Sequence, residues 1–156
     1  MDSLTLPDDF SRFAGELAES FSFNRSVGQI YGLLFIHASP LSLDDISAML
    51  KMSKGNASIN LRTLESWGAI RSVSVSGSRR DHYEANQDVK GILVRRVREG
   101  LSRRLEMAET SLSKLSEHID SRRADPAVLK RIKELKNLVQ RSRRALNHLP
   151  KIAAFL

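Results

Sequence analysis

The sequence predicts a mainly α-helical protein that carries one small β-hairpin and ends in a pair of long helices. Three patterns lead to this prediction. Two short helical segments between residues 42 and 67 are joined by a three-residue turn. A run of β-branched residues and an arginine-containing loop follow them. From residue 105 onwards, apolar residues recur in alternating steps of three and four, the spacing of a helical seam.

Two helices are predicted in the N-terminal segment. Residues 8–21 place their apolar side chains on one side of an amphipathic helix, and residues 27–37 form a more apolar helix around Ile30 and Leu34. We expect Pro40 to end this second helix, because a residue before proline avoids the helical backbone conformation.

The third helix has clear N-terminal signals. Ser42 is placed to cap it by accepting a hydrogen bond from a backbone N–H group, and Asp45 stands at the third helical position, as in a capping box. Leu41 and Ile46 occupy the two positions of a hydrophobic staple. A short helix starting next to Ser42 is therefore predicted.

The fourth helix begins after a turn at residues 51–53, with Ser53 as its cap and Gly68 at its C-terminal end, where a left-handed residue is common. Its outward face carries small or hydrogen-bonding groups instead of the Glu and Lys of a merely solvated face. Asn pairs with adenine, Ser with several base edges and Ile with a thymine methyl group, while Gly lets backbone N–H groups approach a phosphate. The residues of this face are Gly55, Asn56, Ser58, Ile59, Arg62, Thr63 and Ser66.

A β-hairpin is predicted next, with strands at residues 70–75 and 81–85 and a turn at residues 76–80. Arg79 and Arg80 lie at its tip, where they can reach phosphates or a narrow minor groove. Two loop arginines are usually only solvated. Directly after a helix-turn-helix, we favour the DNA role, because this order of elements is a helix-turn-helix with a wing.

Two long helices complete the chain. Asp88 can cap the first, residues 121–125 break the helical pattern, and Asp125 with Pro126 starts the second. Their apolar stripes are too narrow to be stable alone in water, so we expect an antiparallel hairpin that packs in a twofold homodimer. A bundle within one chain is the less favoured alternative. The residues assigned to dimerisation are Leu105, Leu112, Leu115, Ile132, Leu135, Val139 and Leu146.

The net charge of +7 is unevenly distributed. Residues 1–89 contain eight Lys/Arg and eleven Asp/Glu, a net of −3, whereas residues 90–156 contain seventeen and seven, a net of +10. A basic balance favours polyanionic partners. The C-terminal cations either flank DNA or form an ordinary solvated helix face, and the second interpretation is slightly favoured for most of them.

The sequence offers little for catalysis, and we expect neither an enzyme nor a cofactor. It contains no cysteine, and its four histidines lack metal-ligand spacing. Neither a signal peptide nor an apolar run of membrane-spanning length is found, so a cytoplasmic protein is expected. Six of the nine aromatic residues lie between residues 10 and 35. We favour packing for these rings over a cation–π cage that binds a quaternary ammonium effector.

Residues 25–85 resemble the GbsR branch of the MarR-type regulators. The resemblance rests on the ordered segments VGQIYGLL, PLSLDDI, SKGNASINLRTLESWGAI and GSRRDHYEA, and it covers about two-fifths of the chain closely. It implies a dimeric DNA-binding transcriptional regulator, usually a repressor, with residues 53–67 as recognition helix and residues 75–83 as wing. Some relatives respond to choline or glycine betaine.

The expected organisation is an N-terminal helix at residues 1–24 that contributes to the core and dimer, a winged helix-turn-helix at 25–87 and a dimerising helical hairpin at 88–156. The expected function is sequence-specific repression by a homodimer on a near-palindromic operator, with a small-molecule effector as an option. A winged-helix module that binds only proteins is the alternative. The expected DNA-binding residues are Ser53, Lys54, Gly55, Asn56, Ser58, Ile59, Arg62, Ser78, Arg79 and Arg80.

Overall fold

The computed structural model describes residues 6–119 and 125–148. These ranges contain helices α1 Leu6–Ser20, α2 Arg25–Ile36, α3 Leu43–Met49, α4 Lys54–Ser66, α5 Val89–His118 and α6 Pro126–Leu146, and strands β1 Leu41–Ser42, β2 Ile70–Val73 and β3 His82–Ala85. The chain divides into two compact units, residues 1–92 and 93–156, and the division falls within α5. None of the helices in the described ranges is long and apolar enough to span a membrane.

Small residues allow α1 and α2 to pack with their backbones close together. A Cβ atom built on Gly28 would overlap the carbonyl oxygen of Ala14, and one built on Gly32 would lie 2.6 Å from the Cβ of Ala14. Ser11 and Gly15 are the buried residues of α1. The glycines therefore permit a contact that any larger residue would force apart.

The core of the first unit lies among α2, α3, α4 and the sheet. The inward face of α4 is almost completely covered, because Ala57, Leu61 and Leu64 are at most 2% exposed. The same core includes Ile92 at the start of α5. Its most deeply buried large apolar side chains are Ile30, Leu33, Ile46, Leu61 and Leu64.

The predicted caps of α3 and α4 are confirmed. The Ser42 hydroxyl accepts from the Asp45 N–H at 3.2 Å, and the Asp45 carboxylate accepts from the Ser42 N–H at 2.9 Å. Ser53 caps α4 by accepting from the Asn56 N–H at 3.2 Å. Gly68 has a φ of +65°, as expected for a residue that ends a helix in the left-handed conformation.

The sheet differs from the predicted two-stranded hairpin. It has three strands in the order β1-β3-β2, and β1 pairs with β3 through Leu41↔Tyr83 and Ser42↔His82. A two-residue strand has no alternation to detect, so sequence patterns missed it. In addition, α2 ends at Ile36 with extended backbone at His37, so Pro40 does not itself terminate the helix.

This arrangement is a winged helix-turn-helix. Helices α3 and α4 are joined by a short turn, in which Lys51 has a φ of +51°, and β2 and β3 follow as the wing. The predicted fold class, mainly α with a small β wing and long C-terminal helices, is confirmed.

The second unit consists of most of α5 together with α6. Glu109 of α5 accepts from Gln140 at 2.9 Å and from Arg143 at 2.8 Å, both on α6. Asp125 caps α6 and Pro126 occupies its first turn, as predicted. The predicted break at residues 121–125 falls mostly outside the described residues.

We predict that Gly28→Ala lowers the free energy of unfolding by about 1–3 kcal/mol, because the added methyl group overpacks the α1–α2 contact. Gly55→Ala is the matched control. No atom lies within 4 Å of a Cβ placed on Gly55, so this change should raise stability by about 0.4–1 kcal/mol. Urea denaturation of both variants measures the difference, and equal midpoints would contradict the packing argument.

Candidate nucleic-acid interface

The outward face of α4 is open to solvent, as the sequence predicts. Ile59 is 65% exposed, Lys54, Gly55 and Arg62 are exposed, and Ser58 is half-buried. The Arg62 guanidinium donates to the Ser58 hydroxyl at 3.4 Å, one helical turn away. An exposed isoleucine beside hydroxyl and guanidinium groups is a surface suited to contact base edges and a thymine methyl group.

The Asn56 side chain forms hydrogen bonds within the same chain. Its side-chain oxygen accepts from Asn60 at 2.6 Å, and its side-chain amide donates to the Ser26 hydroxyl at 3.4 Å. Asn60 is only 5% exposed and also donates to the Asn56 carbonyl oxygen at 2.8 Å. The role of Asn56 in base recognition stays a prediction, and it requires these contacts to open.

The two arginines of the wing have different surroundings. Arg79 is exposed and forms no hydrogen bond or ion pair with the residues that the structure describes. Arg80 instead donates to Asp44 of α3 at 2.7 Å, and its backbone N–H donates to the Ser78 hydroxyl at 3.2 Å. Nothing in the sequence distinguishes the two arginines.

Asp44 also pairs with Lys54 of α4. Its carboxylate accepts from the Lys54 ammonium group at 2.6 Å, at the N-terminus of α4. The hydrogen bond from Lys54 is the main reason that the pKa of Asp44 lies below its usual value, and the charge of Arg80 contributes. Asp44 therefore stays ionised at neutral pH and connects α3, α4 and the wing.

Hydrogen bonds hold the base of the wing to the helical core. The Tyr31 hydroxyl on α2 donates to the Asn86 carbonyl at 2.7 Å, and the Asn86 side chain donates to the Gly68 carbonyl at 3.0 Å. Burial raises the pKa of Tyr31 to about 12, so it remains a donor at neutral pH. Across the wing, Arg71 pairs with Glu84.

The N-terminal aromatic rings contact one another. Phe10 stacks on Phe35 at 6.0 Å between ring centres, and Tyr31 lies 5.9 Å from Phe35. A cavity of about 690 Å³ lies beside the C-terminal end of α2, and no Phe, Tyr or Trp side chain lines it. These contacts support packing as the role of the rings, and an effector site stays a prediction.

The residues assigned to dimerisation fall into different environments within the second unit. Val139 and Leu146 are 9% and 6% exposed in the single chain, while Leu105, Leu112 and Ile132 are half-buried. Leu115 and Leu135 are about half exposed. The spacing pattern did not single out Met107 and Leu138, two further exposed apolar residues of α5 and α6.

The chain is similar to proteins described as transcriptional regulators. YvaV of Bacillus subtilis, named as an HTH-type transcriptional regulator, is 28% identical over 81 residues, which are 52% of this chain and 46% of YvaV. This chain thus spans about half the length of that relative. No family model matches the chain.

Solved structures give the same fold. The crystal structure of a transcriptional regulator superposes with a TM-score of 0.64 and 22% identity, covering 95% of this chain and 98% of the other. At this level of identity the similarity shows the fold alone. MepR, a transcription regulator of the Staphylococcus aureus multidrug efflux pump MepA, is 22% identical over 86% of this chain, and its TM-score of 0.42 supports no inference.

Sequence reasoning missed Asp44 and Asn60. Asp44 lies in the first turn of α3, and its two cationic partners are 10 and 36 residues away, so no local spacing connects them. Asn60 was overlooked as a polar residue in an amphipathic helix, although it lies three residues after Ala57 on the buried side. That spacing was the available signal.

We predict that Ser42→Ala lowers the free energy of unfolding by about 1 kcal/mol, because it removes the side-chain cap of α3. Ser58→Ala, which removes a hydroxyl that caps no helix, should change stability by less than about 0.5 kcal/mol. Thermal unfolding followed by circular dichroism compares them, and an unchanged Ser42→Ala variant would show that the capping box is dispensable.

Proposed function

We propose that this chain is a sequence-specific DNA-binding transcriptional regulator of the MarR type, and more narrowly of its GbsR branch. The outward surface of α4 carries this proposal: it presents a 65% exposed isoleucine among serine, glycine and arginine, and the wing that follows carries an exposed arginine. The similarity to YvaV supports the regulatory role, and the resemblance of residues 25–85 supports the branch.

In the proposed complex, α4 lies in the major groove and the wing lies along the neighbouring backbone. Ser58, Ile59 and Arg62 contact base edges, which distinguish sequences. Lys54, Arg79 and Arg80 contact phosphates, which supply affinity independent of sequence and fix the orientation of the protein. Gly55, without a side chain, lets the first turn of α4 approach the backbone closely.

A homodimer is the second part of the proposal. Val128, Leu135 and Leu138 share one face of α6 at helical spacing, and they are 44–59% exposed in the single chain. Covering this face with a symmetry-related copy removes apolar surface from water, which favours association. In the first unit, Phe13 and Leu17 of α1 are exposed as well.

Twofold symmetry sets the form of the DNA site. Two recognition helices in a dimer read half-sites about 34–36 Å apart, one DNA turn, so the operator is nearly palindromic. A dimer bound there represses by occupying promoter DNA. An effector, where one exists, acts only by favouring one spacing of the two recognition helices over another.

A winged-helix module that binds only proteins is the competing function, and selection of DNA distinguishes the two. The purified protein is incubated with a random duplex pool at a stated salt concentration, and the bound DNA is sequenced over several rounds. The proposed regulator enriches one consensus with two inverted half-sites. A protein-binding module enriches no sequence, and this outcome would reject the proposed function.

We predict that Arg79→Ala weakens binding to operator and unrelated DNA alike and lowers the salt slope by about one, because it removes one phosphate contact. Ser58→Ala should instead relax discrimination at one or two base pairs by about 1–3 kcal/mol. Arg12→Ala, which removes a cation paired with Asp9 on α1, is the charge-matched control for Arg79→Ala. Binding isotherms at several salt concentrations test all three, and identical behaviour of Arg79→Ala and Arg12→Ala would refute the assigned surface.

We predict that the double change Leu135→Glu/Leu138→Glu converts the dimer to a folded monomer, since it places charges on the exposed apolar face of α6 without altering buried residues. Ile59→Glu, an equivalent change on α4, should leave the dimer intact and abolish DNA binding. Sedimentation velocity at micromolar concentration reports the assembly. A wild-type monomer under those conditions would contradict the proposed dimer.

A further inference from the structure

One carboxylate connects two cations that the proposed function assigns to DNA. Asp44 Oδ1 lies 2.6 Å from the Lys54 ammonium nitrogen, and Asp44 Oδ2 lies 2.7 Å from a guanidinium nitrogen of Arg80. Lys54 opens the recognition helix and Arg80 belongs to the wing loop, whereas Asp44 stands in the first turn of α3. An anion therefore lies between the two DNA-contacting elements.

All three groups are open to solvent. The side chains of Lys54 and Arg80 are 69% and 68% exposed, and that of Asp44 is 36% exposed. A DNA phosphate can thus approach the same two cations that the carboxylate holds. Exposed ion pairs contribute little to the free energy of folding, so the stability of the fold does not depend on the pairs that Asp44 makes.

The local structure of α3 does not depend on Asp44 either. The capping box at its N-terminus is made by Ser42 and the neighbouring residue, Asp45, through reciprocal hydrogen bonds at 3.2 and 2.9 Å. Replacing the carboxylate of Asp44 leaves those bonds in place. The role of this side chain is therefore electrostatic, and it is separable from folding.

We propose that Asp44 is an internal competitor of DNA phosphates: its carboxylate occupies Lys54 and Arg80 in the free protein and gives them up when DNA binds. This inference rests on the proposed function. A cation that already has a carboxylate partner gains less from a phosphate than a free one, and it attracts DNA less strongly. Arg79 has no such partner among the described residues, so it is the wing cation that binds a DNA phosphate without competition from a carboxylate.

The charge distribution indicates that this competition limits binding to unrelated DNA. Residues 1–89 have a net charge of −3, so the unit that carries the recognition helix does not attract DNA by its total charge. Phosphate contacts supply essentially all of the binding to unrelated sequences. Asp44 pairs with two of the few cations on this surface and so lowers the affinity for unrelated DNA sequences. A smaller fraction of the regulator is then bound to DNA outside the operator.

A mechanical role for Asp44 predicts the opposite result. If the carboxylate served to hold the wing against α4 in a DNA-binding geometry, removing it would weaken binding. If it competes with phosphates, removing it strengthens binding. The sign of the change in affinity therefore distinguishes the two roles.

The test compares Asp44→Asn with the wild-type dimer on the selected operator and on an unrelated duplex, by fluorescence anisotropy at several salt concentrations. At a salt concentration of about 0.1 M we expect affinity to rise about three- to tenfold on both duplexes, because DNA no longer has to displace the carboxylate from the two cations. The salt slope should change by less than about one, because Lys54 and Arg80 contact phosphates in both complexes. Asp44→Ser should behave in the same way, and it provides a second variant if the first does not fold.

Two controls assign the effect to the paired cations. Asp9→Asn makes the same change in net charge on α1, where Asp9 pairs with Arg12, and it should leave affinity unchanged. In the Lys54→Gln/Arg80→Gln background, Asp44→Asn should raise affinity by less than about twofold, because the groups it would release are absent.

Several outcomes would overturn the inference. Lower or unchanged affinity of Asp44→Asn, an equal gain with Asp9→Asn, or an undiminished gain in the Lys54→Gln/Arg80→Gln background each rejects competition while operator binding by the wild type stands. A wild-type protein that binds neither duplex rejects the proposed function, and the inference falls with it.

Discussion

The packing of α4 on its inward side is the constraint on which the rest of the first unit depends. Ala57, Leu61 and Leu64 are almost completely buried, so rotating or shifting the helix would expose apolar surface to water. This burial determines which side chains point outward. The identity of the outward residues is therefore set by packing, and the chemical groups that they carry indicate the function of this face.

Three neighbouring features keep that helix in position. The capping bonds at Ser53 define where α4 begins, and Gly68 in the left-handed conformation defines where it ends. Helix α4 packs on α2, and α2 is in turn supported by its close contact with α1, which Gly28 and Gly32 permit. A rigid base of this kind is what recognition of base edges requires, since hydrogen bonds to bases lose specificity when the donor is mobile.

Charge and shape have separate roles in this protein. The winged-helix unit is net acidic by sequence, and two of its candidate DNA-binding cations are paired with Asp44. Most of the excess positive charge belongs to residues 90–156. Affinity for DNA in the proposed regulator is consequently limited on the recognition surface, and discrimination between sequences depends on contacts with bases. The long helices differ from this unit, because they expose leucines to water, and the proposed dimer would bury them.

Local chemistry in the sequence was sufficient to predict the helices, the caps of α3, α4 and α6, the turn at residues 51–53 and the outward face of α4, because each depends on residues within about one or two helical turns of each other. The two-residue strand β1, the contact of Asp44 with Lys54 and Arg80, and the burial of Asn60 were not predicted. The first and second arise from pairing between segments 10 to 42 residues apart, and their geometry exists only after the chain has folded. The sequence by itself determined the helices and the two wing strands, and the tertiary structure decided where β1 forms and which charged and polar groups meet, because ion pairs and strand pairing depend on distance in space.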